Sequence, residues 1–314
     1  MKYSFGNAQH IGTRSSQQDA FGFSNPFEAE FVEHAGLLAV LADGMGGLAH
    51  GDLASRAALA AFLAAYRTKS REETVAAALA RSLASANAAV CELAAKHNAL
   101  GDLGTTLVAA VLRPEGLEWV SVGDSGLFLF HTGQFTELNT PHVYARDLDA
   151  RATAGKITRE AAMEDPQRDA LTSFLGLPQL PHIDRSVRPL PLNASDSILL
   201  ASDGLFKTLT FAEMTAHMRG AVQERCDSLV KAVMAKQFES QDNVTVLALA
   251  PMHELPATVR LPDPPPAPKK SSSKAPIAGA LLATLALAAG GWYFTVCCQM
   301  PPLPPMPKPP GVPK

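Results

Sequence analysis

Five short apolar, strand-like runs in this chain each carry an aspartate at one end. "LLAVLAD" ends at Asp43, "LEWVSVGD" at Asp124 and "SILLASD" at Asp203, while Asp242 opens "DNVTVLAL" and Asp19 precedes "AFGF". One Asp at a strand end is ordinary turn chemistry, and Gly follows two of these. Five together constrain the fold much more. If the strands belong to one sheet system, their ends bring several carboxylates to one rim. Unpaired, such a cluster repels itself and raises its own pKa values. A hard divalent cation, with oxygen ligands and water, relieves that repulsion. No Cys/His grouping competes, so Mg²⁺ or Mn²⁺ is expected rather than Zn²⁺.

Beside the first two of the chain, strands are expected over 105–112, 117–122, 126–131, 197–201 and 243–249. "DLASRAALAAFLAAY" reads as a helix after the loop that follows Asp43. "SREETVAAALARSLASANAAVCELAAKH" reads as a second, opened by Ser70 and Glu73 at capping-box spacing. Its apolar stripe is Val75, Leu79, Leu83, Ala86, Val90 and Leu93. The stretch 140–185 lacks strand character and is expected to be a helical insertion. Strands cluster and helices come in separate groups, which predicts an α+β fold with antiparallel sheets.

The apolar share, 47%, is ample for a core, and the net charge is −3. Five lysines and no acids lie beyond residue 263, leaving 22 basic against 30 acidic residues before it, a net −8. Such a domain suits cations and disfavours nucleic acid. Four cysteines without repeated spacing make neither a disulfide framework nor a zinc site. Cys91 and Cys226 read as small core residues, and Cys297 and Cys298 end an apolar run.

Composition changes near Met252. A Pro/Ser/Lys-rich linker over 253–276 precedes the uncharged run "IAGALLATLALAAGGWYFTV". A transmembrane helix is expected over 277–297, with Trp292 and Tyr293 near its far end. The N-terminus lacks an apolar signal core, and three lysines precede the run against two beyond it. Residues 1–276 are therefore expected in the cytosol, with the Pro-rich tail 298–314 outside a single-pass cell-membrane anchor.

"RSSQQD", "LADGMGG", "LGTTLVA", "VGDSG", "LLASDGL" and "QDNVTVLAL" occur in a characteristic order and spacing. Through them residues 1–252 resemble the metal-dependent (PPM, type 2C) Ser/Thr protein phosphatases, and DGMGG looks like the bacterial branch. "AGKITREAAMEDPQRDALTSFLG" is similar to that family's flap, placed here at about 140–185. The resemblance implies a four-layer α-β-β-α sandwich of two antiparallel sheets flanked by helices. It implies that Asp43 bridges two Mn²⁺ or Mg²⁺ ions and that the Gly44 carbonyl helps hold one of them. Asp203 and Asp242 would complete one metal site and Asp19 would serve the other through water. Asp124 would hold a weaker third ion. Arg14 would grip the substrate phosphate with its fixed fork of donors. A hydroxide between the two metals would then hydrolyse phosphoserine or phosphothreonine without a phospho-enzyme. The implied partners are phosphorylated proteins and a Ser/Thr kinase whose action is reversed.

The chain departs from the family pattern at four places. Gln17 replaces the usual Asn, and Gly126 the Arg that commonly follows Gly-Asp-Ser. Met45 stands where eukaryotic relatives carry a His proposed as general acid. Leu48 replaces a His common after DGMGG, and His50, two residues on, reads as a surface residue. A catalytically silent phosphoprotein-binding scaffold is disfavoured because Asp19, Asp43, Asp203 and Asp242 are all present. An aspartyl-phosphate phosphatase needs Asp-x-Asp, which Leu41 and Ala201 exclude.

Overall fold

The computed structural model describes residues 2–45 and 50–252. The expected linker 253–276, transmembrane helix 277–297 and tail, with Cys297, Cys298 and Leu48, lie outside the described residues. Among the described residues no helix is long and apolar enough to cross a membrane.

Two antiparallel sheets form the centre. One runs β1 (Lys2–His10), β11 (Val244–Met252), β10 (Ser197–Ala201), β7 (Gly126–His131) and β8 (Gln134–Glu137). The other runs β2 (Asp19–Phe23), β3 (Leu37–Met45), β5 (Leu107–Arg113), β6 (Gly116–Val122) and β9 (Asp184–Arg185), with the two-residue β4 (Gly104–Thr105) paired to β3. Helices α2 (Gly51–Arg67) and α3 (Val75–Lys96) cover the second sheet and α8 (Val222–Ala235) the first. Shorter helices are α1 (Ala29–Ala35), α4 (Ala145–Thr153), α5 (Arg159–Met163), α6 (Asp203–Phe206) and α7 (Phe211–Ala216).

The central strands are almost wholly apolar because both of their faces are covered. Leu37, Ala39 and Leu41 of β3 meet Val108, Ala110, Ile198, Leu200, Leu247 and Leu249 between the sheets. The alternate residues Leu38 and Val40, with Leu107, Ala109 and Val111, pack under Ala58, Phe62, Leu79 and Leu83 of α2 and α3. On the far side Leu199, Ala201, Val246 and Ala248 pack under Cys226, Leu229 and Val233 of α8. Each such Leu contributes roughly 1.5–3 kcal/mol of burial. That anchorage is what makes the strand ends rigid.

Three sequence expectations are corrected. The second long helix begins at Val75, with Thr74 as N-cap accepting from the Ala77 N–H, and not at Ser70. Ser70 does accept from the Glu73 N–H, but the Glu73 carboxylate is held by two bonds from Arg81, at 2.8 and 2.7 Å, and so cannot reach back as a capping box requires. The 140–185 insertion holds only α4, α5 and the edge strand β9 as regular elements. Pro166, Pro178 and Pro181, and positive φ at Gly155 and Gly176, break it elsewhere. Cys226 is buried, but Cys91 is only half-buried, and its thiol donates to the Leu177 carbonyl.

Candidate active site

The ends of strands from both sheets supply the acidic residues. Asp19 is the first residue of β2 and stands directly opposite Asp43 of β3 in the strand register. Asp203 opens α6 just after β10, Asp242 lies two residues before β11, and Asp124 follows β6 by two.

Asp43 is fixed through its backbone. Its N–H donates to Thr106 Oγ1 at 3.1 Å, and its carbonyl accepts from Thr106 N–H at 2.9 Å and Thr105 Oγ1 at 2.8 Å. Thr106 is held in turn by the Ser125 hydroxyl at 2.6 Å, next to Asp124. Asp19 Oδ2 accepts from Ser202 Oγ at 2.8 Å and Thr245 Oγ1 at 2.7 Å, so both sheets position it. Asn243 ties the opening loop down, accepting from the Gln18 N–H and donating to the Ile11 and Ser16 carbonyls. These hydroxyl and amide partners carry no charge signal and are the site residues that sequence reasoning missed. The Thr-Thr, Asp-Ser and Ser-Asp pairs inside the quoted motifs were the signal available.

Burial and crowding shape the electrostatics. Desolvation, then the charges of Asp19, Asp203, Asp124 and Asp242, push the Asp43 pKa well above the carboxylate range. Desolvation pushes Asp19 up to about 6 against the lowering effect of its two hydroxyl donors. Asp124 is also pushed up to about 6, by desolvation and by Asp203. Two cationic side chains meet the rim. Arg14 is exposed on the loop before β2, with Nη2 2.7 Å from Asp242 Oδ2, and Lys207 Nζ lies 2.6 Å from Asp203 Oδ2.

Among the described residues no three Asp, Glu, His or Cys side chains already converge as a metal cage. The carboxylates nevertheless act on one another electrostatically, and the donor set suits a hard cation. It is all oxygen, and Asp19 Oδ1 is buried with no hydrogen-bond partner. A buried carboxylate oxygen left without a donor is costly, and an ion or its water would satisfy it. The backbone beside Asp43 is equally particular. A Cβ on Gly44 would stand 2.1 Å from the Gly51 carbonyl oxygen and 2.8 Å from that of Gln18. Gly44→Ala is therefore expected to destabilise the protein by about 3 kcal/mol or more, read as a lower urea midpoint at unchanged m-value. A midpoint within error of wild type would refute this close approach.

The departures also find places. Gln17 has both amide atoms buried without partners. A Cβ on Gly126 would meet the Phe128 ring at 2.4 Å, so a longer side chain cannot be accommodated without moving that ring. His50 is half-buried rather than a free surface residue; it occupies the N-cap position of α2 with φ 106°, and its ring lies tilted against that of His97 at a centroid distance of 4.4 Å.

Residues 7–241 match the protein phosphatase 2C family. The serine/threonine phosphatase stp of Listeria innocua is 29% identical over 215 residues, spanning 67% of this chain and 82% of that protein. The solved serine/threonine phosphatase PstP/Ppp of Mycobacterium tuberculosis is 26% identical with a TM-score of 0.64, covering 80% of this chain and 99% of its own. A structure of the PstP catalytic domain in complex with 2 manganese ions is 25% identical with a TM-score of 0.61, covering 79% of this chain and 97% of its own. With the strand-end carboxylates, the two-sheet sandwich and a match over three quarters of its length, the chain belongs to the protein phosphatase 2C family and is a serine/threonine phosphatase.

Proposed function

We propose that this phosphatase is membrane-anchored, works with two Mn²⁺ or Mg²⁺ ions, and reverses the action of a Ser/Thr kinase on phosphorylated proteins. The observation that carries the metal reading is the cluster of mutually repelling carboxylates around Asp43, with the buried, unpartnered Asp19 Oδ1. The manganese ions of the related PstP structure agree with it. Asp43, the Gly44 carbonyl, Asp203 and Asp242, with Asp19 acting through water, would hold the ions. Bound there, the cations would acidify a water and neutralise phosphate oxygens.

The chain's own residues have distinct tasks. Thr105 and Thr106 hold the Asp43 backbone still, and Ser202 and Thr245 occupy one Asp19 oxygen so that the other is free to take a ligand. Arg14, exposed at the rim and already beside Asp242, presents two parallel donors to the phosphate of an incoming phosphoprotein. The full-length protein is expected to hydrolyse an aryl phosphate and a phosphothreonine peptide with Mn²⁺ and to stop on addition of EDTA. Activity that survives chelation would remove the metal reading.

The anchor rests on the uncharged run within 277–297, its Pro-rich flanks and the flanking lysines. On this reading the catalytic domain faces the cytoplasm and residues 298–314 lie outside. Deleting 277–296 is expected to move the protein from the membrane fraction to the soluble fraction. Full-length protein recovered as soluble would sink the anchor.

A further inference from the structure

We propose that the Lys207 ammonium stands where a third cation would bind, so that this phosphatase takes up two divalent ions and not three. The inference rests on the metal reading above and concerns the Asp124 position. Lys207 Nζ is 2.6 Å from Asp203 Oδ2 and 3.9 Å from Asp124 Oδ2. One cationic atom thus spans Asp124, the residue to which a third ion is assigned, and its neighbour Asp203.

Local sequence builds the arrangement. Asp203 is the first residue of α6 and Lys207 its C-cap, four residues on, which puts the two side chains one above the other on one face. The Lys207 N–H donates to the Asp203 carbonyl at 2.9 Å and closes that turn. The second carboxylate comes from a different element, the loop after β6. This distinguishes the contact from a simple surface pair along one helix.

Exposure runs the right way for a built-in cation. The lysine side chain is 51% exposed, whereas the Asp203 and Asp124 side chains are 18% and 14% exposed. The ammonium therefore meets two largely buried anions. A divalent ion would sit about 2.0–2.2 Å from the same oxygens, in space the ammonium fills. It would also have to be accepted beside an existing positive charge.

The test counts ions and does not depend on turnover. Full-length wild type, Lys207→Arg, Lys207→Gln and Lys207→Met are dialysed against saturating Mn²⁺ and assayed for manganese per chain, with circular dichroism to confirm folding. Two ions in wild type and Lys207→Arg, rising to three in either folded neutral variant, is the expected result. Three in wild type, or two in both neutral variants, would overturn the proposal and leave the two-ion reading standing. Fewer than two in wild type would overturn both.

Discussion

Asp43→Asn is expected to abolish turnover, lowering kcat/KM on the order of 10³-fold or more, while making the metal-free protein more stable. The two effects share one cause. Asp43 is the carboxylate on which burial and four other acids act together, so its charge disfavours the fold when no cation is present. An amide of the same shape keeps the packing and removes the repulsion. Its backbone bonds to Thr105 and Thr106 do not involve the side chain and survive the change. The gain is read as a higher Tm in EDTA at pH 7.5. Steady-state kinetics on a phosphothreonine peptide and thermal melts in EDTA check both halves. A variant with near-wild-type rates, or with a lower metal-free Tm, would show that Asp43 is not the centre of the cluster.

The second large effect is a pH dependence of the stabilisation that Mn²⁺ confers. Asp19 and Asp124 rise from 3.8 to about 6 in the fold, chiefly through desolvation. Between those limits the native protein holds protons that the unfolded chain has released. Native stability therefore falls as pH rises through that window, on the order of 3 kcal/mol for each group. His142 works in the opposite direction. Burial pushes it down from 6.5 to about 4, so the unfolded chain takes the proton first and stability falls as pH drops. The bare pH profile mixes the two, but the Tm difference with and without Mn²⁺ cancels His142. Cations bind the ionised carboxylates, so that difference is expected to be small at pH 5 and large at pH 7.5. A difference that does not change between the two pH values would argue against a carboxylate cation site at Asp19.

The parts of the fold legible in the sequence are those where burial is one-sided in meaning. β3, β5, β10 and β11 read as strands because layers on both faces leave them few polar positions. β1 did not, since "KYSFGNAQH" forms an edge strand whose side chains are mostly half-buried or exposed. The Ser70/Glu73 spacing misled because a capping box is a local pattern, and Arg81, a full turn into the helix, claims the Glu73 carboxylate. The insertion misled because lack of strand character is not helix character. At the site, the aspartates announced themselves by ending apolar runs. Ser202, Thr245 and Asn243 did not, because a hydroxyl or amide in a strand gains its role only from what lies across the sheet. Lys207 was legible in principle, four residues after Asp203, yet its second partner is set by tertiary structure alone.

The pairing of β1 with β11 has a consequence for when this protein acquires activity. Lys2 to His10 lie alongside Met252 to Val244, and β11 is inserted between β1 and β10. The two sides of the rim come from opposite ends of the described domain, with Arg14 and Asp242 separated by 228 positions and Asp19 held by Thr245. A polypeptide terminated before residue 242 lacks a carboxylate, the strand that braces the others and the partner of Arg14. Such long-range closure also makes assembly slow relative to helix formation. Phosphatase activity is thus an all-or-none property of the completed domain, and a prematurely ended message yields a silent product rather than a weakened enzyme.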